Sequence, residues 1–144
     1  MALDRAALEA LLPHRPPFLF LDRVEALVPG VRAVGWREVP RDEFWVNAHF
    51  PGAPVLPGVL LVEALAQVAA VVAISATPEW TGQPVYLVGF DKLRFRRPVY
   101  PGDSVRLEVA VAESGRLWAF DALASVNGHK VAEGRFLASA MARR

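Results

Sequence analysis

Hydrophobic positions along this chain change their period twice, and the changes mark out its elements. Near the start, Leu8, Leu11 and Leu12 fall on one side of a short helix that Asp4 can cap and Pro13 must end. The prolines of "PHRPP" favour extended or turn backbone. "FLFLDRVEALV" then reads as a strand, Pro29-Gly30 as a turn and "VRAVGWREV" as the returning strand. "PRDEFWVNAHFPGAPVLP" keeps no period and holds four prolines. It is expected to be an irregular loop with room for one helical turn.

From Gly58 to about Ala76 the pattern is apolar in every direction around a helix axis: Val59, Leu60, Leu61, Val62, Leu65, Val68, Val71, Val72 and Ile74. Such a helix, roughly 28 Å long, is either buried on all sides or set in a bilayer. Glu63 and Gln67 interrupt the run, no basic flank follows it, and the rest of the chain reads as strands in need of a core. A buried helix is therefore expected rather than a membrane span.

After Pro78 the period falls to two. "PVYLVGFDKLRFRRPV", "DSVRLEVAVA", "RLWAFDALASV" and "KVAEGRFLASA" are successive strand candidates, joined by "YPGD", "ESG" and the hairpin pair Asn127-Gly128. The sum is an α+β fold with about six antiparallel strands wrapped around one long helix. A second copy of the chain would cover what the sheet leaves open.

Composition narrows the picture further. At 144 residues, 53% hydrophobic and 22% charged, the chain has the size and balance of one globular domain spanning residues 1–144, and it contains no repeats. The absence of cysteine excludes disulfides and thiol catalysis and fits a reducing compartment. "MALDRAALEALLPHR" lacks the basic-then-apolar order of a signal peptide. A net charge of +1 gives no global attraction to nucleic acid or membrane. A cytoplasmic protein is expected.

The chemistry concentrates where the loop enters the long helix, in "HFPGAPVLPGVLLVEALAQ". Glu63 stands in an apolar run: it is either a partly exposed glutamate packed beside its loop or a buried carboxylate that must be paired or protonated. Apolar surroundings raise a carboxyl pKa and suit it to act as a general acid. Gln67, four residues on, shares its helix face and can orient it. His49 can be the complementary base. Pro57-Gly58 opens the helix with unpaired backbone amides, a site for developing negative charge. Base, acid and amide donors together suit the loss of water β to a thioester. Spacing leaves open whether His49 and Glu63 meet within one subunit, across a dimer interface, or not at all.

"LLPHRPPFLFLDRV", "HFPGAPVLPGVLLVEALAQ" and "LRFRRPVYPGDSVRLEV", in that order over most of the chain, resemble the FabZ-type β-hydroxyacyl-acyl-carrier-protein dehydratases of bacterial fatty-acid synthesis. The resemblance implies a hotdog fold, the helix as sausage and the sheet as bun. It implies a homodimer whose two active sites each draw on both subunits, often three dimers in a hexamer, with acyl carrier protein as partner and no cofactor. By motif match His49 is the catalytic histidine, Glu63 the carboxylate supplied by the other subunit, Gly58 the amide facing the thioester carbonyl and Gln67 the support of Glu63. Val59 and Phe50 flank these positions and join the substrate-binding set. Glutamate at 63, where the related dehydratase–isomerases carry aspartate, points to dehydration alone. The family usually has glycine before the histidine and this chain has Ala48; a left-handed backbone there would strain an alanine.

Lys92, Arg94 and Arg96 alternate with Leu93 and Phe95, which would set three cations on one strand face, and Arg97 extends the cluster. This is either a solvated outer face or a docking patch for an acidic carrier protein and its phosphate. His14 is read as structural and His129 as an exposed hairpin tip. The scattered histidines lack metal-ligand spacing, so no metal site is expected. The tryptophans read as core or interface residues, although Phe44, Trp45 and Phe50 lie near enough to line an acyl channel. A thioesterase on the same fold and a non-catalytic acyl-binding module are the competing readings.

Overall fold

The computed structural model describes residues 1–140. The elements run α1 (Arg5–Leu11), β1 (Arg23–Val28), β2 (Arg32–Glu38), α2 (Gly58–Ala76), a 3₁₀ turn (Pro78–Trp80), β3 (Val85–Phe95), β4 (Ser104–Glu113), β5 (Trp118–Val126) and β6 (His129–Ala140). All six strands form one antiparallel sheet in the order β1-β2-β4-β5-β6-β3. This is the hotdog arrangement, with α2 lying along the inner face of the curled sheet.

Each element follows from its local chemistry. Asp4 caps α1 by accepting from the Ala7 amide at 2.9 Å. The β2, β4 and β5 strands bury alternate positions, among them Ala33, Val105, Leu107, Val109, Ala122 and Ala124. α2 packs so closely on β2 that a β-carbon on Gly35 would stand 2.5 Å from Val68 Cγ2. Only glycine admits the helix at that distance. The 19 residues of α2 are long and apolar enough to cross a bilayer, yet 72% of the most apolar stretch is already buried inside the fold. Its apolar surface serves the core.

Burial of α2 is incomplete along one strip. Val59 is 74% exposed, and Glu63 and Ala66 are half-buried on the same side. Beside this strip runs β3, an edge strand of 11 residues whose Tyr86, Val88 and Phe90 are about half exposed. The opposite edge, β1, is partly covered by a bridge from Leu3 to Val24.

The structure departs from sequence expectation at two strands. Phe18–Asp22 are not part of β1: Phe18 and Phe20 bond through their backbone to the Gln67 side chain of α2 and the Leu19 and Leu21 carbonyls accept from Arg5 of α1, so only the Asp22 amide reaches β2, at the Trp36 carbonyl. In β3 the alternation of cations is broken by a bulge between Asp91 and Arg94, where Lys92 takes a φ of 54°, and the strand ends before Arg96.

Candidate active site

The loop between β2 and α2 is held from its start. Arg37, buried on β2, pairs with Glu43 and lies 4.8 Å over the Phe20 ring. Trp45 Nε1 also donates to Glu43, at 2.7 Å, and the indole is buried. From there the backbone turns on itself, with the Ala48 and His49 amides both donating to the Trp45 carbonyl. Ala48 does not take a positive φ, a conformation confined among described non-glycine residues to Ala26, Lys92 and Asn127. The strain expected of an alanine in this position does not arise.

His49 and Val55 bond twice. The Val55 amide donates to the His49 carbonyl at 2.7 Å, and His49 Nδ1 lies 2.8 Å from the Val55 carbonyl. A carbonyl can only accept, so Nδ1 carries a proton, and in the neutral ring the lone pair is then on Nε2. Phe50, 55% exposed, stacks on the imidazole with centroids 4.2 Å apart.

The next turn of chain carries backbone donors without acceptors. Pro57 caps α2 without a side-chain hydrogen bond, and no described residue accepts from the Gly58 or Val59 amide. These free donors open into the same cleft as His49, about 510 Å³ in volume and walled by Leu61, Phe95 and the Arg96–Val99 segment. A β-carbon on Gly58 would meet the half-exposed Phe95 ring at 2.9 Å and would have to push it aside.

Glu63 lies elsewhere. It lines a separate cleft of about 260 Å³ with Pro13, His14, Ala66, Ala70 and the Pro84–Leu87 segment, and this cleft shares no lining residue with that of His49. The carboxylate expected to be buried is 32% exposed within one chain. Gln67, by contrast, is wholly buried, its Oε1 accepting from the Phe20 amide at 2.8 Å and its Nε2 donating to the Phe18 carbonyl at 2.7 Å and to Glu63 Oε2 at 3.0 Å. Both amide protons are used, and the two backbone bonds fix which end faces Glu63.

Residues 12–135 match the FabA-like domain family. The chain is 45% identical over 141 residues to the 3-hydroxyacyl-[acyl-carrier-protein] dehydratase FabZ of Acidiphilium cryptum, covering 96% of this chain and 86% of that one. It is 51% identical over 126 residues to the enzyme of that name from Herpetosiphon aurantiacus, covering 87% and 89%. The chain belongs to the FabZ-type dehydratase family. Among solved structures, the dehydratase heterocomplex ApeI:P from Xenorhabdus doucetiae superposes with a TM-score of 0.77 at 18% identity, covering 94% of this chain and 91% of that one, a likeness of fold.

Against this FabZ-type frame the four candidate cations divide. Arg96 and Arg97 stand at the His49 cleft, whereas Lys92 lines a hollow on the outer face of the sheet beside Asp91, Asp121 and Arg135. Arg94 turns back to the Leu93 carbonyl. His14, read as structural from the sequence, places its Nε2 3.7 Å from Glu63 Oε2. A carboxylate in an apolar run needs partners, and the two prolines flanking "HR" in the "PHRP" stretch fix where that imidazole can point. Burial lowers the His14 pKa below its ordinary value, with the nearby Glu63 opposing the shift.

Proposed function

We propose that this protein removes water from β-hydroxyacyl thioesters carried on acyl carrier protein, giving trans-2-enoyl thioesters, in the fatty-acid elongation of the cytoplasm. The curated relatives, 3-hydroxyacyl-[acyl-carrier-protein] dehydratases by name, supply the reaction class. The observation that carries the residue roles is the tautomer of His49, fixed by Val55 in the same cleft as the free amides of α2. His49 Nε2 takes the α-proton, and the C–H electron pair moves into an enolate whose oxygen is held by the Gly58 and Val59 amides. Collapse of the enolate forms the Cα–Cβ double bond and expels the β-hydroxyl. That group leaves as water after taking a proton from Glu63.

The acid comes from a second copy of the chain. The His49 cleft is walled by the C-terminal end of β3 and the residues after it, the Glu63 cleft by the N-terminal end. Antiparallel pairing of two β3 edges sets the N-terminal end of one strand beside the C-terminal end of the other, so each His49 cleft meets a partner Glu63 cleft. The uncovered strip of α2 and the apolar side chains of β3 are buried by the same contact. Such a contact is isologous and closes as a two-fold homodimer with two composite sites, a unit that can repeat as a trimer of dimers. Arg96 and Arg97, at the cleft mouth, are placed to receive the phosphate of the carrier's pantetheine arm.

The test is an assay of wild type and Glu63→Gln with a β-hydroxyacyl carrier protein, following enoyl product by mass and free thiol in parallel. Enoyl product without thiol, lost in the variant, is expected. Thiol without enoyl product would identify a thioesterase, and binding without turnover an acyl-binding module.

A further inference from the structure

His14 takes no part in the reaction as outlined, yet it forms one wall of the Glu63 cleft. Its backbone is pinned beyond α1 by Arg15, whose NH1 donates to the Leu12 and His14 carbonyls at 3.0 and 2.7 Å. Nε2 stands 3.7 Å from Glu63 Oε2, the same oxygen that Gln67 holds at 3.0 Å. Both neighbours therefore address Oε2, and no described residue bonds Oε1. Nδ1 is buried and has no partner among the described residues.

These facts select one state of the ring. A proton on Nδ1 would be a buried donor without an acceptor, and would turn two lone pairs towards each other at Glu63. A doubly protonated ring would bury a charged donor in the same position. The neutral ring with its proton on Nε2 avoids both. The separation is slightly longer than a hydrogen bond, as catalytic contacts often are before substrate arrives.

We propose that His14 is a positioning residue for the dehydration: neutral and protonated on Nε2, it anchors Glu63 Oε2 together with Gln67, so that Oε1 presents the proton taken by the departing hydroxyl. The proposal deepens, and rests on, the reading of Glu63 as the acid. It carries a consequence for pH. Of the groups facing His14, Glu63 on α2 and Tyr86 on β3 line its cleft, while Arg15 pairs with Glu9 of α1 and keeps about half its side chain in solvent. A proton gained by His14 therefore acts chiefly on Glu63, favouring the carboxylate and removing the acid. Burial places that protonation below 6.5. In the wild type the acid limb of kcat then includes the protonation of His14.

The experiment compares wild type, His14→Gln and His14→Ala on a β-hydroxyacyl carrier protein, measuring kcat and KM from about pH 5 to pH 9. His14→Ala is expected to lower kcat roughly ten- to a hundredfold with KM little changed. His14→Gln returns an N–H near Nε2 and should recover most of that loss. In both variants the acid limb should become shallower by one proton. Equal losses in the two variants with an unchanged slope, or a rise in KM alone, would overturn the proposal and leave His14 a wall of the cleft. If His14→Ala does not fold, the slope in His14→Gln decides. Wild type active, Glu63→Gln inactive and His14 variants unaffected would sink this proposal alone. An active Glu63→Gln would sink the reading beneath it as well.

Discussion

The Gln67 amide donates to Glu63 Oε2 at 3.0 Å from a side chain that is itself wholly buried. Its other two bonds, to the Phe20 amide and the Phe18 carbonyl, tie the carboxylate to the segment entering β1. Replacing Gln67 with leucine, close in volume, leaves the buried Phe20 N–H and the part-buried Phe18 C=O without their partner. The expected loss of stability is roughly 2–5 kcal/mol, read from urea denaturation, with activity falling because Glu63 loses its support. A change below about 0.5 kcal/mol would mean that the segment finds other partners.

The proposed composite sites make complementation the decisive test of the dimer. His49→Ala and Glu63→Gln should each be inactive alone, kcat falling about 10²–10⁴-fold. Mixed under conditions that exchange subunits, they form heterodimers with one intact and one doubly damaged site. Activity should return to roughly a quarter of wild type for random pairing. No recovery despite proven exchange would place both residues in one subunit's site.

Gly58 touches the Phe95 ring and has no room for a side chain. Gly58→Ala should push the ring or the first turn of α2 aside and lower kcat/KM by roughly ten- to a hundredfold. Pairing it with Phe95→Leu, which removes the ring edge, should recover much of that loss. Failure of the pair to improve on Gly58→Ala would mean the amide itself had been displaced.

His14 also ties stability to pH. Its pKa in the fold lies below the unfolded value of 6.5, so at low pH the unfolded chain binds the extra proton more readily. The neutral ring's contribution is present above pH 6.5 and is lost as pH falls towards the folded pKa. His14→Gln should therefore flatten the fall of the denaturation midpoint below that point. An identical fall in both proteins would assign the acid sensitivity to other groups.

Much of the fold was legible because its signals are local. An all-round apolar run gave α2 its limits, and alternation gave β4, β5 and β6 theirs. Phe18–Asp22 looked equally like strand, but Gln67, 47 positions from Phe20, captures that backbone, and no local period records such a bond. The bulge at Lys92 was hidden for a related reason: it answers Gly134 on the neighbouring strand, where a β-carbon would stand 3.1 Å from Leu93. At the site, residue types announced His49, Glu63 and Gln67, yet His14 was read as structural because its partner lies on another element. Glu63 looked buried because the helix around it is apolar, whereas its own strip of that helix faces outward within one chain.

The bare start of α2 has a cost that the fold accepts. A serine or aspartate in place of Pro57 could turn its oxygen onto the first-turn amides and would stabilise the helix by about 1 kcal/mol. The same oxygen would accept from the Val59 or Leu60 amide, and at Val59 it would take one of the two donors proposed for the enolate. Engineering this protein for heat resistance by filling every uncapped helix end would, on the proposed mechanism, yield a sturdier molecule with a half-plugged oxyanion site. At this terminus durability and the proposed turnover compete for the Val59 N–H.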